Sequence, residues 1–160
     1  MNDLDYYRQC FVLEAVPTRS VLEQMQQAQS DYRPHPKAPS AGELFWTIMR
    51  GLKIRLDLVR RNGADAPPVA PYPSYEKMLA SYGDLSKQLE AELATVDQSR
   101  WEGKAEFRTG GQIVLDRPLR EILWMFHFDV IHHRGQLTTY LRPMGGRVPS
   151  IYGRSGDDAR

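Results

Sequence analysis

Cysteine is nearly absent from this chain. Cys10 stands alone, so no disulfide can staple one copy of the fold, and such sparing thiol use fits a reducing compartment. An excess of charge is missing as well. Lys and Arg number 21 against 20 Asp and Glu, a net charge of +1, which supplies no concentrated positive field for nucleic acid or an acidic membrane. Long hydrophobic runs are lacking: "ILWMF" at 122–126 is far too short to span a bilayer. The opening "MNDLDYYRQC" does not follow the basic-then-apolar order of a secretory signal. These absences set the expectation of a cytoplasmic protein with neither nucleic-acid nor membrane partners. Cys10 lies on an apolar stretch and is expected to be a buried, inert thiol.

What is present is helical periodicity. At 160 residues the chain is expected to form a single domain, 1–160, long enough to bury a core without staples. Four segments repeat apolar residues at three and four. The first runs from about Leu4 to Gln29, with Tyr7, Phe11, Thr18, Val21, Leu22 and Met25 near one face. Pro17 should bend or restart it, since proline removes a backbone donor and clashes with the preceding turn. The second starts at Ser40, where Glu43 three residues on completes a capping box, and continues to about Arg61, where Asn62-Gly63 ends it. The third, about Ser74 to Val96, has the cleanest stripe: Tyr75, Met78, Leu79, Tyr82, Leu85, Leu89, Leu93 and Val96. The fourth runs from near Pro118 to about Leu141, stopped by Pro143 and Gly145-Gly146.

Between these lie a proline-rich connector, "ADAPPVAPYP" at 64–73, and an irregular stretch at 97–118 that can hold a small hairpin around Gly110-Gly111. The tail "RVPSIYGRSGDDAR" at 147–160 reads as extended, with Val148, Ile151 and Tyr152 able to pin it to the bundle. The expected class is all-α: a four-helix bundle with a long crossover between the second and third helices.

The fourth helix carries the chemistry. Leu119, Ile122, Leu123, Phe126, Val130, Leu137, Tyr140 and Leu141 form an inward stripe, and in "FDVIHHRGQL" (128–137) Asp129 and His133 fall on it at i and i+4. A charge there needs a partner or a metal. A second stripe, Trp124, Phe128, Ile131 and Gly135, suits either another helix of the bundle or the seam of a homodimer. His127 and Arg134 fall between the stripes and are expected to face solvent.

Two stretches then resemble the DinB/YfiT-like family of metal-binding bundles. "DYRPHPKAPSAGEL" (31–44) is similar to that family's entry into its second helix, and "HHRGQLTTYLRPMGGRVPSIYG" (132–153) to its fourth helix and tail. The resemblance implies the DinB/YfiT-like four-helix bundle, often dimeric, and a cleft in which three histidines hold a divalent metal. One of those histidines sits on the second helix and two sit a turn apart on the fourth. This sequence departs at two of the three places. Thr47 stands at the second-helix position and Asp129 at the upstream fourth-helix position, leaving His133 as the family-type histidine.

The altered metal set is therefore His133, Asp129 and Thr47, for zinc, nickel, iron or manganese, with Glu14 on the first helix as a replacement third ligand. The competing reading of the same residues is a metal-free Asp129–His133 hydrogen bond. A third makes that pair a base–orienter dyad, although no Ser or Cys has a visible claim to be its nucleophile. Two functions follow: a metal-dependent transferase or hydrolase acting on a small molecule, or a metal-free stress-response bundle that binds small molecules or partners.

Overall fold

The computed structural model describes residues 1–158, the side chain of Gln27 excepted. Its chain order is α1 (Asp3–Leu22), a 3₁₀ turn (Gln27–Gln29), α2 (Ala41–Arg61), β1 (Gly63–Asp65), α3 (Tyr75–Thr95), α4 (Gln98–Glu102), β2 (Lys104–Thr109), β3 (Gln112–Pro118) and α5 (Leu119–Leu141). The fold is mostly helical, but the expected all-α class needs amending, because three strands form a sheet.

The helix starts follow from local chemistry. Asn2 caps α1 by accepting from the Asp5 amide, and Ser74 caps α3. At α2 the Ser40 hydroxyl accepts from the Glu43 amide while the Glu43 carboxylate takes the Ser40 amide at 2.6 Å, so the expected capping box is formed. Asn62, in the left-handed conformation at φ 53°, ends α2.

Pro17 neither breaks nor restarts α1, which ends at Leu22 rather than near Gln29. The carbonyl that Pro17 leaves without a helical donor is that of Leu13, on an exposed residue where water can serve it. The Thr18 and Ser20 hydroxyls bond back to the Glu14 and Val16 carbonyls on either side.

The long helices enclose a common core. α2 packs on α5 and α3, and α1 packs on α3 and α5. Tyr7, Phe45, Trp101, Leu58 and Leu89 are fully buried, each contributing on the order of 1.5–3 kcal/mol from apolar surface removed from water. α2 and α5 approach closely at Gly51, where an added Cβ would stand 3.0 Å from the Val130 side chain. The Tyr140 hydroxyl donates to the Pro39 carbonyl, tying the end of α5 to the entry of α2.

The sheet packs on α2 and α5. β2 and β3 form the expected hairpin, and Gly110 and Gly111 take φ of 59° and 78°, as a two-residue loop of this hand requires. The unexpected parts are α4 and β1, which pairs parallel to β2 from Gly63↔Glu106 to Asp65↔Arg108. Phe107 of β2 meets Phe126 of α5 edge-on at 4.9 Å, fixing the sheet to the helices.

Candidate functional site

Asp129 and His133 do meet on α5. The imidazole Nε2 stands 3.3 Å from Asp129 Oδ1, and Nδ1 stands 2.9 Å from Gln136 Oε1. Both ring nitrogens thus face acceptor oxygens, which a doubly protonated imidazolium satisfies. The Asp129 hydrogen bond accordingly holds the His133 pKa above its ordinary value, against an opposing push from burial, with Gln136 helping.

The pair is not in the core, contrary to the wheel reading. The Asp129 side chain is 42% exposed and that of His133 22%, so water reaches the carboxylate. The same Asp129 contact orients the imidazole, as a base–orienter pair requires, but among the hydrogen bonds of His133 none reaches a Ser or Cys that it could activate.

The residues around this pair do not complete a metal centre. Thr47 spends its hydroxyl proton on the Glu43 carbonyl, 2.9 Å away on its own helix. Glu14 is engaged elsewhere, by Arg134 and Tyr152. Among the described residues no three His, Cys, Asp or Glu side chains converge closely enough to hold an ion. One carboxylate and one imidazole that already holds a proton toward it are not the three-histidine set that the resemblance implies.

The polar centre of the molecule lies elsewhere, on residues expected to face solvent. His127 is 3% exposed and Arg134 2% exposed, and Arg55 of α2, at 3%, joins them. Positions 127, 130, 134, 137 and 141 recur at three and four, so these side chains share the stripe of Val130, Leu137 and Leu141. That spacing could have revealed them; their polarity argued them outward.

Arg55 Nη1 lies 3.2 Å from His127 Nδ1. A guanidinium only donates, so Nδ1 accepts and the ring proton sits on Nε2. Burial, and then the nearby Arg55 cation, lower the His127 pKa to about 4, with Glu14 opposing and Arg134 adding to the depression. His127 is therefore neutral at physiological pH.

Arg134 reaches α1, its Nη1 donating to Glu14 Oε2 at 2.5 Å and to the Thr18 hydroxyl at 3.2 Å. Its Nη2 donates to the Tyr152 hydroxyl at 2.7 Å, and that hydroxyl donates to Glu14 Oε1 at 2.8 Å. Tyr152 thereby pins the tail to the helices, with Val148 and Ile151 packed on the core; the last two residues of the tail lie outside the described ones.

Over this centre runs a groove of about 520 Å³ between α1 and α5. Tyr6, Cys10 and Glu14 form one side; Trp124, His127, Phe128 and Ile131 form the other. Trp124 and Phe128 stack with ring centroids 5.5 Å apart. Asp3 closes one end, its carboxylate held by the indole N–H groups of Trp101 and Trp124 at 3.0 and 3.1 Å. Cys10 is half-buried on this groove rather than sealed in the core. Such an apolar trough with a few convergent polar groups is the usual form of a small-molecule site. No helix among the described residues is long and apolar enough to cross a membrane.

Comparison with known proteins places this architecture. The fold matches a DinB-like protein from Bacillus cereus with a TM-score of 0.75 at 20% identity, covering 91% of this chain and 95% of that one. A DinB-like protein from Bacillus subtilis matches at a TM-score of 0.72 and 18% identity, covering 93% and 99%. A mycothiol-dependent maleylpyruvate isomerase shares the fold more loosely, at a TM-score of 0.58 and 14% identity, with 85% of this chain on 61% of that one. No curated protein matches the sequence. The family model of the DinB superfamily matches residues 15–137, from α1 to the polar stripe of α5. With most of its length inside that match and a DinB-like fold around it, this chain belongs to the DinB superfamily.

Proposed function

We propose that this DinB-superfamily chain binds a small molecule in the groove between α1 and α5 and does so without a resident metal. The observation carrying the proposal is the junction of an aromatic-walled groove with the buried His127–Arg55 and Glu14–Arg134 groups beneath it. The aromatic walls supply apolar contact area, and the polar groups fix orientation. A screen by tryptophan fluorescence, reporting through Trp124, tests this on chelator-treated protein. Ligands are expected to bind equally with and without EDTA and to weaken at least tenfold in Phe128→Ala. A requirement for added metal, or loss of binding in Asp129→Ala or His133→Ala, would overturn it.

A second reading keeps a metal-dependent transferase or hydrolase at the altered family position. It is favoured by one observation, the Asp129–His133 approach at 3.3 Å on the helix face where the resemblance sets two histidines. Zinc, nickel, iron or manganese held there would have to displace the proton between these groups. Elemental analysis of protein purified without an affinity tag decides it. This reading expects a near-stoichiometric metal that is lost in Asp129→Ala and in His133→Ala.

The proposal extends to a cytoplasmic homodimer through the second stripe of α5. Phe128 is 60% exposed there, and a Cβ added at Gly135 would meet nothing within 4 Å, so a partner helix has room to approach. A second copy would close the groove over its ligand. A monomer in equilibrium sedimentation across the micromolar range refutes the dimer.

A further inference from the structure

Two guanidinium groups are buried among these helices, and one carboxylate serves them. Arg134 has Glu14 at 2.5 Å. Arg55 has no carboxylate of its own: its Nε donates to the Gly51 carbonyl at 3.3 Å, its Nη1 faces His127 Nδ1 at 3.2 Å, its guanidinium lies over the Phe11 ring at 5.4 Å and hydrogen-bonds Tyr7, and the nearby Glu14 is taken by Arg134. Among the described residues, none of the ion pairs involves Arg55. His127 cannot compensate, because it is neutral and its own ionisation would add a second positive charge. A buried cation without a counter-charge is costly, and proteins keep one chiefly where an anion completes it.

Beside Arg55 lies an internal space of about 10 Å³, also lined by Thr18, Tyr82 and Val130. It has room for roughly one water-sized oxygen. Glu14, His127 and Ile131 line both this space and the 520 Å³ groove, so one layer of side chains separates them. Glu14 does not bar an anion's path by charge, since Arg134 and the Tyr152 hydroxyl satisfy it.

We propose that Arg55 receives the carboxylate of a small monoacid whose flat apolar body lies in the groove against Tyr6, Trp124 and Phe128. This rests on the small-molecule reading above and names its ligand class. A single buried cation matches a single negative charge. A space for one oxygen can take one of the two oxygens of a carboxylate, while a phosphate dianion would bring a second negative charge to a single cation.

Phenylacetate and its neutral isostere phenylacetamide are the probes, titrated by calorimetry into wild type, Arg55→Met and Phe128→Ala. Wild type should bind the acid at least tenfold more tightly than the amide. Arg55→Met should abolish that preference, whereas Phe128→Ala should weaken both probes and keep it. Methionine preserves an apolar stem and strands no carboxylate but removes the donor to the buried His127 Nδ1, so a cooperative urea transition, at a midpoint lower than that of wild type, checks that Arg55→Met folds. Equal binding of acid and amide to wild type would overturn the carboxylate seat while leaving the groove reading intact, and this holds whatever the variant does. A preference that survives Arg55→Met would also overturn it. Binding of neither probe would remove both.

Discussion

Acid should destabilise this fold in a way that one side chain controls. His127 titrates at about 4 in the folded chain against 6.5 for an unperturbed imidazole, because it is buried and faces Arg55. Its folded pKa is depressed, so above pH 6.5 neither state is protonated there and His127 adds no pH dependence. As pH falls from 6.5 toward 4, the unfolded chain binds a proton that the native chain refuses, and stability is lost. Below about 4 both states are protonated and the loss stops growing. The full difference corresponds to about 3 kcal/mol, nearly all of it incurred between pH 6.5 and 4.

His127→Gln removes the titration and keeps an oxygen that can accept from Arg55. Urea unfolding at pH 7.5 and 4.5 should show wild type losing about 2–3 kcal/mol more than the variant over that interval. Carboxylates and the other three histidines contribute equally to both proteins and cancel in the difference. Parallel losses in the two proteins, or a folded-state NMR titration of His127 near 6.5, would refute the reasoning.

Two further outcomes are expected. In Asp129→Asn the His133 titration should move down toward the ordinary imidazole value, since the hydrogen bond to Asp129 is the main cause of its elevation; an unmoved NMR titration curve would mean that another group sets it. Ser40→Ala should cost about 1 kcal/mol by opening the capping box of α2, read as a lower urea midpoint with an unchanged slope.

Much of the fold was legible because it rests on local chemistry. The Ser40–Glu43 box, the Asn62 stop, the Gly110-Gly111 hairpin and the α3 stripe are each decided within a few residues. The strand at Gly63–Asp65 was not, because three residues carry no periodicity and pair with a partner some forty residues away. Asp129 and His133 were correctly joined, since i and i+4 on a helix always meet, but their depth was misread. They sit at the flank of the buried stripe, and a helical wheel shows only which residues share a face.

The sequence by itself determined the caps that start α2 and α3 and the stop at Asn62, the family, and the presence of Thr47 and Asp129 where the resemblance implies histidines. Only the tertiary structure decided that His127, Arg134 and Arg55 are buried. Their burial follows from helices distant in sequence that supply Glu14 and Thr18 to Arg134 and set His127 against Arg55. Polarity argues such side chains outward, and the partners that overrule it come together only when α1, α2 and α5 pack.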